Sequence, residues 1–314
     1  MTTLKLGQSL KGKINTYTIT KKLHDSIWLA NNLTNQPFII KNPHQARINN
    51  ERAVLKQFQT RTPYLRPLID EIIDPPALVL RHLDDDLMSA SASQRLTTSE
   101  IKYVSKKVLQ ALAVLHDDGY VHTVDVKLDN ILVNYGSDGQ RFTDIQLCDL
   151  ENTVHVEHKF CKDRECIGAP VWRSPEAQLG LQWGPPTDIW SFGTMVISLI
   201  WGDNFFIFKP DVPRGHEEYE LKILTKYYVF FGPYPPSYVD LADDETLAIL
   251  SYVMDNVPAE KRKPFSRAGR QEISVEDREF VCKIMRMDPR DRPTARELLG
   301  DKWFQMLPNL RAYA

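Results

Sequence analysis

The stretch "HTVDVKLDNIL", His122 to Leu132, decides how this chain is read. Asp125 is followed two positions on by Lys127 and five positions on by Asn130, in a frame of aliphatic and β-branched residues. An Asp-x-Lys-x-x-Asn loop suits phosphoryl transfer. The aspartate can orient a hydroxyl and accept its proton, the lysine can neutralise charge on the moving group, and the asparagine can hold a magnesium ion. Further on, "CDLEN" puts Asp149 at the end of a β-rich run, where it can chelate the same metal. Magnesium is a hard ion that favours one or two carboxylates plus phosphate oxygens. Alone, an Asp-x-Lys on a surface loop is an ordinary solvated pair; the order and distance along the chain carry the signal.

Just before this loop, "TTSEIKYVSKKVLQALAVLHDDG" opens with Thr97 and Glu100 at capping-box spacing. Ile101, Val104, Val108, Leu112 and Leu115 follow at helical intervals, and Gly119 closes the helix. Towards the N-terminus, residues 14–42 read as strands ("YTIT", "SIWLA", "PFIIK") with "NNLTNQ" as a turn. "NNERAVLKQF" is a helical pattern with Ala53, Val54, Leu55 and Phe58 on its apolar side. "LRPLIDEIIDPPALVLRHL" returns to strand, broken at Pro75-Pro76, and Asp84 to Asp86 read as a solvated turn. After "ILVNY" and "IQLCDL" the chain is helix and loop. The fold class is therefore α+β. A small β-rich lobe with one main helix (14–83) is expected to precede a larger, mainly helical lobe (84–307), within one domain (1–314), with a cleft at the junction.

The 314 residues are 42% hydrophobic and 25% charged with a net charge of −2, so nothing in the overall balance points to a nucleic-acid or membrane partner. The N-terminal "MTTLKLGQSLKGK" has no apolar run of the signal-peptide kind. The most apolar segment, Ile189 to Trp201, is shorter than the roughly 18–20 residues that span a bilayer and reads as a buried helix. Cys161 and Cys166 are conceivable zinc ligands without partners at metal spacing. Free thiols in a reducing interior, cytoplasmic or nuclear, are the simpler expectation.

Taken together, these segments resemble a eukaryotic protein kinase domain. "FIIK" resembles the strand carrying the ATP-positioning lysine, Lys41, and "NNERAVL" the helix whose glutamate, Glu51, pairs with it. "LVLRHLDDDL" resembles the hinge, which makes Leu80 the gatekeeper and faces the backbone of Arg81 to Leu83 towards adenine, with Leu132 also on the nucleotide side. "HTVDVKLDNIL" resembles the catalytic loop, "DLE" stands where Asp-Phe-Gly is usual, and "GAPVWRSPE" resembles the segment ending in Ala-Pro-Glu. "TDIWSFG" supplies Asp188, which braces the catalytic loop in the family, and "MDPRDRPTARELL" supplies Arg292 as the partner of Glu176. The motifs run in family order from residue 17 to about 304. The wording "HTxD", with "DL" and the late "HEEYELKIL…FFGPYPPSY", is similar to the cyclin-dependent, MAP and SR-protein kinase group, and nearest to SR-protein kinases. Similar stretches occur in small kinase-like proteins of filamentous fungi.

Four positions depart from the family pattern. The glycine-rich loop is replaced by His24, Asp25 and Ser26, which read as a plain hairpin turn. Val124 is one residue extra between His122 and Asp125, so a bulge at Thr123-Val124 is expected. Glu151 replaces the glycine after Asp149-Leu150, and Ile39 stands where a small alanine roofs the adenine. The resemblance implies a monomeric serine/threonine protein kinase using ATP and Mg2+ on a protein substrate. Asp125 would be base, Lys127 would stabilise the γ-phosphate, Lys41 and Glu51 would position the nucleotide, and Asn130 and Asp149 would hold the metal. The departures imply the competing reading, a pseudokinase that binds without transferring.

Overall fold

The computed structural model describes residues 4–123, 126–137 and 139–305. The strands are β1 (Ser9–Lys11), β2 (Thr16–His24), β3 (Ile27–Asn32), β4 (Pro37–Lys41), β5 (Leu68–Ile72), β6 (Ala77–Arg81), β7 (Asp85–Asp86), β8 (Tyr120–Val121), β9 (Ile131–Tyr135), β10 (Phe142–Leu147) and β11 (Val154–His155). The helices run α1 (Gln45–Phe58), α2 (Leu87–Ser93), α3 (Thr98–His116), α4 (Lys159–Lys162), α5 (Pro175–Gln178), α6 (Pro185–Trp201), α7 (Tyr219–Phe231), α8 (Asp244–Asn256), α9 (Val275–Ile284), α10 (Ala295–Leu299) and α11 (Lys302–Gln305). The chain up to Asp86 packs with Ile131–Thr153 as one compact unit, and Leu87–Asn130 packs with the chain from Val154 onward as a second.

In the first unit, six antiparallel strands lie in the order β1-β2-β3-β4-β6-β5. The alternation that defines a half-buried strand is visible in β2, where Tyr17 and Ile19 are buried while Thr18 and Thr20 are exposed. Their core partners are Leu10, Trp28, Ala30, Ile40 and Val79. Asp25 and Ser26 alone link β2 to β3, with His24 paired to Ile27, so the expected hairpin stands in place of a glycine-rich loop. Asp70 fixes the chain ahead of β2. Its carboxylate accepts the N–H groups of Lys13 (3.0 Å), Ile14 (2.9 Å) and Asn15 (3.0 Å) and the Tyr17 hydroxyl (3.1 Å). A Cβ at position 12 would lie 2.3 Å from Asp70 Oδ2, which is why Gly12 is a glycine.

Helix α1 buries Ile48, Glu51, Val54, Leu55 and Phe58. Ala53 was expected on this apolar side but is exposed, because the face recurs at three- and four-residue steps that pass it by. The acidic run after the hinge also differs from expectation. Asp85 and Asp86 form β7, which pairs with β9 beside β10. Asp84 accepts the Tyr135 N–H at 3.0 Å and donates its own N–H to Asn134 at 3.0 Å, while Asp85 accepts the Tyr135 hydroxyl at 2.8 Å. The carboxylates are spent on satisfying a strand edge.

In the second unit, α3 begins with the full capping box. Thr97 Oγ1 accepts the Glu100 N–H at 3.3 Å, and Glu100 accepts the Thr97 N–H at 2.7 Å. Ile101, Val104, Val108, Leu112 and Leu115 are all buried. Helix α6 is buried on nearly every side, and around it Trp190 stacks on Phe208 at 5.5 Å and meets Tyr227 edge-on at 5.3 Å. Among the described residues no helix is long and apolar enough to cross a membrane. All four cysteines are free thiols.

Candidate active site

In the first unit, β4 ends on Lys41 and α1 turns Glu51 onto the same spot. Their charged groups meet at 2.9 Å, with the side chains 7% and 2% exposed. Asp149 follows β10 in the left-handed conformation, φ 63°, and starts the 3-10 turn Leu150–Asn152. That turn carries Asp149 to 2.5 Å and Glu151 to 3.1 Å from the same ammonium. Glu51 also accepts the Leu150 N–H at 3.3 Å, and Asn50 donates to the carbonyls of Glu151 (3.0 Å) and Thr153 (2.8 Å), so α1 holds the turn by side chain and backbone alike. Arg47 closes the group from outside, 2.9 Å from the other Glu151 oxygen.

Three carboxylates therefore share one buried lysine. Burial alone would lower the Lys41 pKa, but the charges of Glu51, Asp149 and Glu151 outweigh it and hold the ammonium well above the usual lysine range. Burial pushes the Glu51 carboxyl up against the pull of Lys41, and the two neighbouring carboxylates add to that push. Glu51, Asp149 and Glu151 offer oxygens within 4.8 Å of one another, a hard donor set of the kind a divalent cation of the magnesium type accepts. The sequence marked Glu151 only as a replacement for the family's glycine; its pairing with Lys41 depends on the left-handed turn at Asp149.

The backbone of Arg81 is already engaged, its N–H on Pro67 O (3.3 Å) and its carbonyl on Arg66 Nε (2.8 Å), while its guanidinium pairs with Asp144 at 3.0 Å. The Arg81 carbonyl, with one donor on it, keeps a second lone pair. Leu80 and Leu83 are buried, and Leu132 is half-buried on β9. Asp25 lies far out on its hairpin, 93% exposed and paired with Lys22.

In the second unit, Lys127 lies 3.3 Å from Asp129, and Asn130 is buried at the end of the 3-10 turn Leu128–Asn130. Asp125 and Val124 lie outside the described residues. Thr123 takes φ 72°, a region a β-branched residue seldom enters. His122 keeps its core position, fully buried, with its N–H on Asp188 at 2.7 Å, and Asp188 also meets His116 Nε2 at 3.0 Å. Arg292 grips Glu176 with both ends of its fork, at 2.6 and 2.7 Å, and donates to the carbonyls of Arg286, Pro186 and Met287.

Arg173 was not singled out from the sequence. Buried, it donates to the carbonyls of Ile167 (2.7 Å) and Gly168 (2.9 Å) and to Gln178 (3.1 Å), while its own carbonyl accepts the Tyr227 hydroxyl at 2.6 Å. It sews the segment before Glu176 to itself and to α7. The available signal was an arginine directly after the apolar run "GAPVW".

Residues 15–304 match the family model described as the protein kinase domain. The serine/threonine-protein kinase PAK mbt of Drosophila melanogaster is 37% identical over 116 residues, 37% of this chain and 17% of the relative. The serine/threonine-protein kinase PAK 4 of Homo sapiens is 27% identical over 205 residues, 65% of this chain and 27% of the relative. STE20 of Eremothecium gossypii is 30% identical over 208 residues, 66% of this chain and 16% of the relative. The matches thus span at most about a quarter of these relatives' length. Among solved structures, a chain of the yeast RNA Pol II CTD kinase CTDK-1 complex superposes with a TM-score of 0.76 at 17% identity, covering 98% of both chains, which bears on the fold alone. The β-rich first unit, the helical second unit and a match over nearly the whole length carry one conclusion: the chain belongs to the protein kinase domain family.

Proposed function

We propose that the chain is a serine/threonine protein kinase that transfers the γ-phosphate of ATP to hydroxyls of a protein substrate. The observation that carries this reading is the buried Lys41–Glu51 pair with Asp149 on the same ammonium, the charge arrangement a phosphate-positioning lysine requires. In it, Lys41 contacts the α- and β-phosphates and Glu51 orients it. Asp125 accepts the hydroxyl proton and Lys127 balances charge on the transferred group. Leu83 and Leu132 border the base. Asn130 and Asp149 are the residues that would hold Mg2+, which when bound neutralises charge on the phosphate oxygens. We place the chain nearest the SR-protein-kinase-like group on its "HTxD" wording, as a single domain acting as a monomer in the cytoplasm or nucleus.

A second reading is favoured by one contact. Glu151 already sits on Lys41, which suits a pseudokinase that binds partners without transfer. Transfer of labelled phosphate from ATP to a mixed peptide library, Arg-Ser-rich peptides included, decides between the two. Incorporation that disappears in Asp125→Asn supports the kinase; none above that variant, under any metal, supports the scaffold.

A further inference from the structure

A lysine ammonium has three N–H donors. In this protein Glu51, Asp149 and Glu151 crowd one ammonium, at 2.9, 2.5 and 3.1 Å from Lys41 Nζ. A phosphate can reach the ammonium only if one of the three withdraws. The three are not equally able to do so. Glu51 is 2% exposed, projects from the buried face of α1 and also holds the Leu150 N–H. Asp149, 30% exposed, is the carboxylate that the reading above gives to the metal, so a bound metal would take it off Lys41 and leave Glu151 as the competitor for the phosphate. Glu151 has a second cation of its own, Arg47 at 2.9 Å, whose side chain is 57% exposed. If it releases Lys41, its charge is still met.

From this geometry we infer that Glu151 is a specificity-determining residue, an internal carboxylate that occupies the phosphate's place on Lys41 and must shift onto Arg47 before a nucleotide phosphate can bind. The inference rests on the phosphotransfer reading above. The charges sharpen it. Three carboxylates against Lys41 and Arg47 leave one net negative charge where a polyphosphate must arrive. Like charges at this range in a partly buried site repel strongly. The penalty falls on the phosphates and spares the base and sugar, so Glu151 sets the selectivity between phosphorylated and unphosphorylated adenosine.

The test measures dissociation constants for Mg-ATP, ADP and adenosine by calorimetry. The proteins are the wild type, Glu151→Gln, Glu151→Gly (the residue usual in the family) and Arg47→Ala, each checked for folding by thermal melting. Glutamine keeps the size and an acceptor oxygen, so it isolates the charge. Expected is roughly tenfold tighter ATP binding in Glu151→Gln, the size of one unit charge removed at this range, with adenosine unchanged. Arg47→Ala should bind ATP several-fold more weakly than wild type, because Glu151 then has nowhere to go. Equal ATP affinity in wild type and both Glu151 variants, or weaker binding in the variants, overturns the role given to Glu151 and leaves the phosphotransfer reading standing. Adenosine gaining as much as ATP also overturns it, because the effect is then steric. No nucleotide binding by any of the four proteins removes both the inference and the reading beneath it.

Discussion

The Asp70 carboxylate receives three backbone N–H groups and a phenol from the segment that leads into β2. With the Glu71 N–H at 2.7 Å, five donors on one ionised group hold its pKa below the ordinary carboxylate range even though burial works the other way. Asp70→Ala strands those donors and should cost about 3 kcal/mol, read as a lower denaturant midpoint with unchanged slope; a loss under about 1 kcal/mol would mean water replaces the carboxylate. Asp288 offers a pH-resolved case. Hydrogen bonds from Arg290 and from Ser237 (2.5 Å) lower its pKa from 3.8 to about 2. A depressed carboxyl stabilises the fold above its unfolded pKa and loses that contribution as pH falls through its folded one. Asp288→Asn should therefore melt earlier than wild type at neutral pH, and the gap should close as pH drops from about 4 towards about 2. A gap that stays constant with pH would assign the effect to packing. At this scale the sequence was informative where the family resemblance named both partners, as for Lys41 with Glu51 and Glu176 with Arg292. It was silent where a single backbone conformation decides the partner, as at Glu151, and where four donors converge from elsewhere in the chain, as on Asp70.

Among the elements, the start and the apolar stripe of α3 were legible to the residue because cap and stripe are local, while the helix ends at His116, ahead of Gly119. Thr97→Ala removes one half of the capping box and should lower stability by about 1 kcal/mol, with the amides of the first turn exchanging faster. The segment between Asp149 and Glu176 makes a different claim. Its hydroxyl side chains are Thr153 and Ser174, both fully buried, and Ser174 shares a 2.6 Å hydrogen bond with Thr187. Arg173, Trp172 against Phe206 and the Glu176–Arg292 pair already order this stretch. Phosphatase treatment should leave activity unchanged, and mass spectrometry of native protein should find neither hydroxyl phosphorylated. A large activity loss traced to Thr153 would refute this. The element that escaped the sequence was β7. Three aspartates in a row look like a solvated turn until β9, some fifty residues on, supplies Tyr135 and Asn134 to receive them.

For the whole molecule, a buried pair joins Glu176 to Arg292 across 116 residues, both side chains at most 1% exposed. Arg292→Ala leaves a buried carboxylate uncompensated and should cost about 3–5 kcal/mol, visible as a lowered midpoint of unfolding. Nucleotide should act on stability only through binding. Mg-ATP should raise the melting temperature modestly, less than in a kinase with glycines in place of Asp25-Ser26, and chelation of the metal should abolish the rise. A shift that survives chelation contradicts a metal-dependent site. The two-part texture of the chain, strands and then helices, was readable from periodicity. The grouping of Ile131–Thr153 with the N-terminal strands was not, because the contacts that make it join distant segments.

That grouping has a consequence for synthesis. A ribosome delivers the chain in order, yet the first compact unit is completed only when Ile131–Thr153 has emerged. Until then Tyr64 and Arg66 wait for the backbone of Leu147, Arg81 waits for Asp144, and Lys41 has Glu51 as its sole carboxylate of the eventual three. A nascent chain stalled near residue 120 therefore displays the first sheet with an unfinished flank, and Leu87–Asn130 is exposed before either unit can close. Chaperone dependence and protease sensitivity during translation should peak over that window and fall once Thr153 has cleared the exit tunnel.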